Sequence, residues 1–99
     1  MALRDKLAGR FVVLDGPDGS GKGTQLQRLA ERLRRDGLEV VTTIDPGGTP
    51  IGDRIRQVLL GHDLAEMDVR CETLLFMASR AQLVGEVIDP ALEAGKAVL

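Results

Sequence analysis

Tryptophan and tyrosine are missing from the 99 residues, and phenylalanine occurs twice, at Phe11 and Phe76. So few rings leave almost no platform on which the bases of a single strand could stack. A positive excess is missing too: 13 Lys and Arg stand against 15 Asp and Glu, for a formal net charge of −2. Compact nucleic-acid-binding domains usually carry a basic excess, so a nucleic-acid polymer is not an expected partner. Cysteine occurs once, as Cys71, which excludes an internal disulfide and a zinc cluster built on cysteine. The longest apolar run, Leu74–Ala78, is five residues, far short of a membrane span. Met1 to Arg10 carries Arg4, Asp5, Lys6 and Arg10 and no apolar stretch of the secretion-signal kind. With so little cysteine, a reducing, cytoplasmic setting is the expectation.

What is present is ordinary for a soluble globular chain, 43% hydrophobic and 28% charged. The length allows a single domain over 1–99 with a modest core. Phe11-Val12-Val13-Leu14 is a continuous apolar run, which suits a strand buried on both faces of a parallel sheet. Leu26, Leu29, Ala30 and Leu33 then recur at helical spacing, opposite Arg28, Glu31, Arg32 and Arg35. Asp36-Gly37 should end that helix, with glycine as a left-handed cap. Leu38 to Thr43 reads as a second strand, and Asp45 to Pro50 as a loop, since its prolines and glycines extend neither strand nor helix. Ile51, Ile55, Val58 and Leu59 predict a helix closed by Gly61, and Met67 to about Val87 another. Asp89-Pro90 marks a bend or a fresh start, and Lys96 to Leu99 opens a third strand. The order β-α-β-α-α-β implies parallel strands joined by crossovers, the α/β class.

One motif carries chemistry. Gly16-Pro17-Asp18-Gly19-Ser20-Gly21-Lys22 fits G-x-x-x-x-G-K and falls between a predicted strand and a predicted helix. Glycines let backbone N–H groups turn inward around an anion, and the helix N-terminus adds partial positive charge. Lys22 can reach the terminal phosphates of a nucleotide. Where the strict motif has Ser or Thr to hold Mg2+, this chain has Gly23, with Thr24 one step later. Thr24 is therefore read as a phosphate contact or a first-turn residue, and Asp18 or water as the Mg2+ partner. Gly19 and Gly21 lack the third glycine of G-x-G-x-x-G, so a dinucleotide fold is disfavoured.

Three blocks resemble the N-terminal half of a thymidylate kinase. They are Leu14-Asp15-Gly16-Pro17-Asp18-Gly19-Ser20-Gly21-Lys22-Gly23-Thr24-Gln25, then Asp45-Pro46-Gly47-Gly48-Thr49-Pro50-Ile51-Gly52, then Leu74 to Gln82 with Val87-Ile88 and Pro90 to Lys96. The resemblance implies a P-loop fold of three layers, α/β/α, of which this chain carries the N-terminal β-α-β-α-α-β portion. It implies transfer of the γ-phosphoryl group of ATP to dTMP, with Mg2+. Gly16 to Thr24 would bind the nucleotide, with Lys22 and Asp18 at the reacting phosphate. Phe76 resembles the aromatic that stacks on thymine, and Arg80 the arginine that reads the base carbonyl. Asp45 and Pro46 fall in the loop that lines the acceptor. Gly19 stands where some relatives carry an arginine, Ile44 where arginine is common, and Ser79 where aspartate is common. A homodimer of a chain about twice as long is the further expectation, with lid arginines in its second half. The alternatives are another nucleoside monophosphate kinase, such as one acting on AMP, and a nucleotide-binding module without catalysis.

The residues alone leave several readings open. Phe76 and Arg80 are i and i+4 and share a helix face, as a ring-binding pair or as a core phenylalanine beside a solvated arginine. Arg54 or Arg56 either reaches an acceptor phosphate or coats a helix face. Arg32, Arg34 and Arg35 coat a helix end. Asp15 organises the loop or the metal shell. His62 and Cys71 are expected to be a loop residue and a small helix residue.

Overall fold

The computed structural model describes residues 2–15, 21–61 and 66–99, and its contacts gather into two compact units. The first joins the chain up to Thr42 with Pro90–Leu99, and the second is Thr43–Asp89.

The first unit opens with a short helix, α1 (Leu3–Leu7), which the polarity of the N-terminus concealed. Its signal was the i, i+4 pair Leu3 and Leu7, and both pack against the core. Helix α2 (Lys22–Arg35) buries Ala30 and Leu33 completely, with Leu26 and Leu29 packed on the same cluster. Asp36 ends it, and Gly37 turns left-handed at a φ of 87°. The Gly37 N–H then bonds the Arg34 carbonyl at 3.0 Å and the Leu38 N–H the Leu33 carbonyl at 3.0 Å. This pair of bonds is the Schellman closure, whose usual apolar partner contact is met by Leu33 and Leu38 in one core cluster. Arg4 adds a bond from Nη1 to the Asp36 carbonyl at 2.9 Å, so α1 also holds this helix end.

Strand β1 (Val40–Val41) pairs in parallel with β2 (Ala97–Val98), Val40 against Ala97 and Val41 against Val98. On the other side of β2 the first apolar run contributes a single parallel bridge, Phe11 to Val98. The Val12 N–H bonds the Val98 carbonyl at 2.9 Å and the Val98 N–H bonds the Arg10 carbonyl at 3.0 Å. The three segments therefore lie parallel in the order second, third, first, as a chain with helical crossovers requires. The expected burial of Phe11–Leu14 on both faces is not found: Val13 is 68% exposed and Phe11 45%. Among the described residues this run has one neighbouring strand, so one of its edges has no strand beside it. The second and third strands are shorter than the apolar runs that announced them, because each ladder extends only as far as its partner.

The second unit holds α3 (Pro50–Leu60) packed against α4 (Val69–Leu83). Thr49 caps α3 and Pro50 occupies its first turn, where a missing N–H costs nothing. Asp68 caps α4 by accepting the Arg70 N–H at 2.8 Å, and its carboxylate also pairs with the Arg70 guanidinium at 3.1 Å. The side-chain bond from Arg70, then the backbone one, hold the Asp68 carboxyl below the usual carboxylate range.

The Asp89-Pro90 signal is met by a change of helical pitch rather than by a break. Val84–Ile88 forms one π-helical turn between α4 and α5 (Asp89–Glu93), closed by the Asp89 N–H on the Val84 carbonyl. Pro90 has no N–H to give the Glu86 carbonyl, and its ring would crowd that carbonyl in a regular helix. Widening the preceding turn relieves that crowding.

Candidate active site

Of the nucleotide-site residues expected from the sequence, Gly21, Lys22, Gly23 and Thr24 lie at the start of α2. Gly21 sits at its N-cap with a φ of 84°, a conformation that suits glycine and turns the chain into the helix. Lys22 is the first helical residue, and Gly23 and Thr24 continue an exposed first turn. No side chain caps this end and no acidic residue lies in its first turn, in contrast to the capped starts of α3 and α4. A lysine on a helix N-terminus without such a cap fits the phosphates of a nucleotide. Gly16, Pro17, Asp18, Gly19 and Ser20 lie outside the described residues, as does His62. Among the described residues no cluster of three or more His, Cys, Asp or Glu is placed to hold a metal ion.

The glycine-rich loop from Asp45 to Thr49 has a different character: its donors are committed within the second unit. The Asp45–Pro46 peptide is cis. The Gly47 N–H bonds Ser79 Oγ at 2.9 Å, the Gly48 N–H bonds Asp53 Oδ1 at 3.0 Å, and the Gly52 N–H bonds Thr49 Oγ1 at 2.9 Å. Arg56 Nη1 donates to the Pro46 carbonyl at 2.8 Å. Arg56 thus fastens the loop, an outcome neither of its sequence readings anticipated. With the Gly47 and Gly48 amides taken, the loop does not offer them as a second phosphate cradle.

Helix α4 brings Phe76, Ser79 and Arg80 onto neighbouring turns. Phe76 is half-buried and Ser79 is 1% exposed. Arg80 Nε donates to Asp45 Oδ2 at 2.7 Å, an ion pair spanning 35 residues of sequence. Their side chains remain 55% and 32% exposed, so the pair adds little to stability. Its effect is geometric: Asp45 engages one edge of the guanidinium and sets the plane of the rest. Two of the expected site residues, Asp45 and Arg80, are therefore in direct contact, with Pro46 beside them in the chain.

Around this cluster α3 approaches closely enough to demand glycine. A Cβ on Gly52 would lie 2.9 Å from Thr49 Oγ1, 3.0 Å from the Gly47 carbonyl and 3.1 Å from Ser79 Oγ. Gly52→Ala is expected to destabilise the second unit by about 1–3 kcal/mol through overpacking. Urea unfolding of the full-length variant checks this; an unchanged midpoint would show that α3 has room to shift.

Asp53 is the contributor that sequence reasoning missed, while Arg56 and Ser79 were singled out there without their bonds to the loop. Asp53 and Arg56 had a local signal, since both lie within ten residues of the loop on α3. Ser79 had none, because its bond to Gly47 joins residues 32 apart. Arg34, expected to coat the end of α2, also donates from Nη2 to the Val40 carbonyl at 3.1 Å. Cys71 is an exposed residue of α4.

Parallel strands joined through helices, with a lysine on the helix that follows the glycine-rich sequence, define the P-loop α/β class. A family model described as thymidylate kinase matches residues 14–99. The thymidylate kinase of Exiguobacterium sibiricum is 56% identical over 93 residues, covering 94% of this chain and 44% of that protein. That of Deinococcus radiodurans is 54% identical over 91 residues, covering 92% and 44%. The crystal structure of thymidylate kinase from Ehrlichia chaffeensis matches with a TM-score of 0.82 at 35% identity, covering 92% of this chain and 50% of that one. The chain belongs to the thymidylate kinase family, and it spans about half the length of the relatives it matches. Among the described residues, no helix is long and apolar enough to cross a membrane.

Proposed function

We propose that the full-length protein transfers the γ-phosphoryl group of ATP to dTMP, giving ADP and dTDP. Beyond family membership, the observation that carries this reading is the bond from Arg80, on the helix that also bears Phe76, to Asp45 in the loop before α3. Arg80 commits Nε to Asp45, and its guanidinium carries two further amino groups that can donate to a base carbonyl. Phe76, half-buried one turn earlier, offers a face for the pyrimidine ring. Pro46 and Asp45 would line the acceptor, and Asp45 also orients Arg80.

On the donor side, Gly16, Pro17, Asp18, Gly19, Ser20, Gly21, Gly23 and Thr24 would surround the phosphates with Lys22 at the terminal ones. Mg2+ when bound neutralises charge on the phosphate oxygens, and Asp18 would hold it directly or through water. The protein's share of such a reaction is positioning and charge stabilisation rather than covalent chemistry. The phosphate oxygen of dTMP forms the new bond to phosphorus as the bond to the ADP oxygen breaks.

We place the protein in the cytoplasm and read residues 1–99 as part of one kinase domain. A homodimer fits the exposed apolar stripe on α4, where Leu74 is 70% and Met77 54% exposed and Ala78 and Ala81 allow close helix approach.

The test is ADP formation by the full-length protein with ATP, Mg2+ and either dTMP or AMP. Turnover with a clear preference for dTMP is expected. A preference for AMP sinks the assignment, and no turnover with either leaves a nucleotide-binding module. Phe76→Ala is expected to raise the KM for dTMP by about 5- to 160-fold, the scale of one stacked ring, while the KM for ATP stays unchanged. Lowered stability with dTMP affinity intact would instead assign Phe76 to packing alone.

A further inference from the structure

We propose that Ser79 is a positioning residue for the acceptor, a role that rests on the dTMP kinase reading. It would act through the Gly47 amide and through its neighbour Arg80. Ser79 Oγ, on a side chain 1% exposed, accepts the Gly47 N–H at 2.9 Å. This bond joins α4 to the loop two residues after Asp45, and the Arg80–Asp45 bond joins them again one residue further along the helix. The two bonds make a short clamp. The buried one seats the helix on the loop, and the exposed one sets the guanidinium plane.

The clamp has no slack. Gly52 comes in so tightly that a Cβ there would stand 3.1 Å from Ser79 Oγ and 3.0 Å from the Gly47 carbonyl. The loop, the first turn of α3 and α4 therefore meet at this hydroxyl. Without it, the Gly47 N–H loses its partner in a buried place and the loop must move to find another. Asp45 would move with the loop, and Arg80 with Asp45. Phe76 stands three residues before Ser79, so any shift of α4 against the loop displaces the ring and the guanidinium together. Ser79 itself need not touch the substrate: its influence passes through main chain and a neighbouring side chain.

The experiment uses the full-length protein and three forms, wild type, Ser79→Ala and Ser79→Cys. Alanine removes the acceptor; cysteine keeps a weak one in nearly the same volume. Amide hydrogen exchange at Gly47 reads the bond itself, whatever the protein's activity. Steady-state kinetics with dTMP and ATP read its consequence. Ser79→Ala is expected to speed Gly47 exchange and to raise the KM for dTMP about tenfold. Its kcat and KM for ATP are expected to stay within about twofold of wild type. Ser79→Cys should fall between wild type and alanine on both readouts, and it serves alone if the alanine protein does not fold. A faster Gly47 exchange with unchanged kinetics overturns the positioning role, as does an equal rise in both KM values. Wild-type protein that fails to phosphorylate dTMP overturns the kinase reading, and this proposal with it.

Discussion

Lys22→Ala in the full-length protein is expected to lower dTMP-dependent ADP formation by about 10²- to 10³-fold, the usual loss when one preorganised charge contact is removed. The reason is placement. Lys22 is the first residue of α2, at a helix start that no side chain caps. The backbone N–H groups there remain in the variant, so nucleotide binding should weaken less than turnover falls. Lys22 is exposed and outside the core cluster, so the melting temperature should hardly change. Steady-state kinetics beside a thermal melt check both parts. Unchanged turnover would refute the role given to this lysine. A loss of turnover matched by a large drop in melting temperature would mean that the side chain supports the fold instead.

The largest effect on stability is expected at Leu33. Leu33→Ala should cost about 2–5 kcal/mol, because a buried leucine leaves both lost transfer energy and a cavity. Leu33 is completely buried, lies in one cluster with Leu38, Val40, Ala97 and Leu99, and supplies the carbonyl of the Schellman closure. The cavity would open where the end of α2 meets β1 and β2, so little around it can collapse without moving the sheet. Urea unfolding of the full-length protein followed by circular dichroism measures the loss. A cost below about 1 kcal/mol would show that the cluster repacks around alanine. Val69→Ala, at a residue 76% exposed and off the apolar stripe of α4, makes the matching control and should change stability little.

Local features were the legible ones. Four apolar positions at helical spacing announced α2, and the glycine after Asp36 announced its end, because both follow from the geometry of consecutive residues. Ile51, Ile55, Val58 and Leu59 announced α3, yet it begins one residue earlier, at Pro50, which the sequence assigns to the loop: Thr49 caps the helix and proline is tolerated in its first turn. The Asp89-Pro90 signal was real, yet its outcome was a π turn, since the neighbouring residues could widen the helix more cheaply than break it. The first apolar run shows the limit of such reading. Its composition asks for a strand, but a strand's length depends on partners contributed from far along the chain, and only Phe11 bridges.

The donor side of the site belongs to the same local class. A glycine loop followed by lysine needs only the helix after it, so the role proposed for Lys22 is read from residue order. The acceptor side does not. Nothing in the spacing of Asp45 and Arg80 couples them, and Ser79 bears no mark of its bond to Gly47. These contacts exist because α3 folds back against α4 and brings chain segments more than thirty residues apart within hydrogen-bond distance. Residue order alone therefore announced α2, α3 and α4 and the glycine-lysine motif, but neither α1 nor the π turn. The packing of α3 on α4 decided which loop amides are already spent, which carboxylate orients Arg80, and that a serine hydroxyl is the buried link between them.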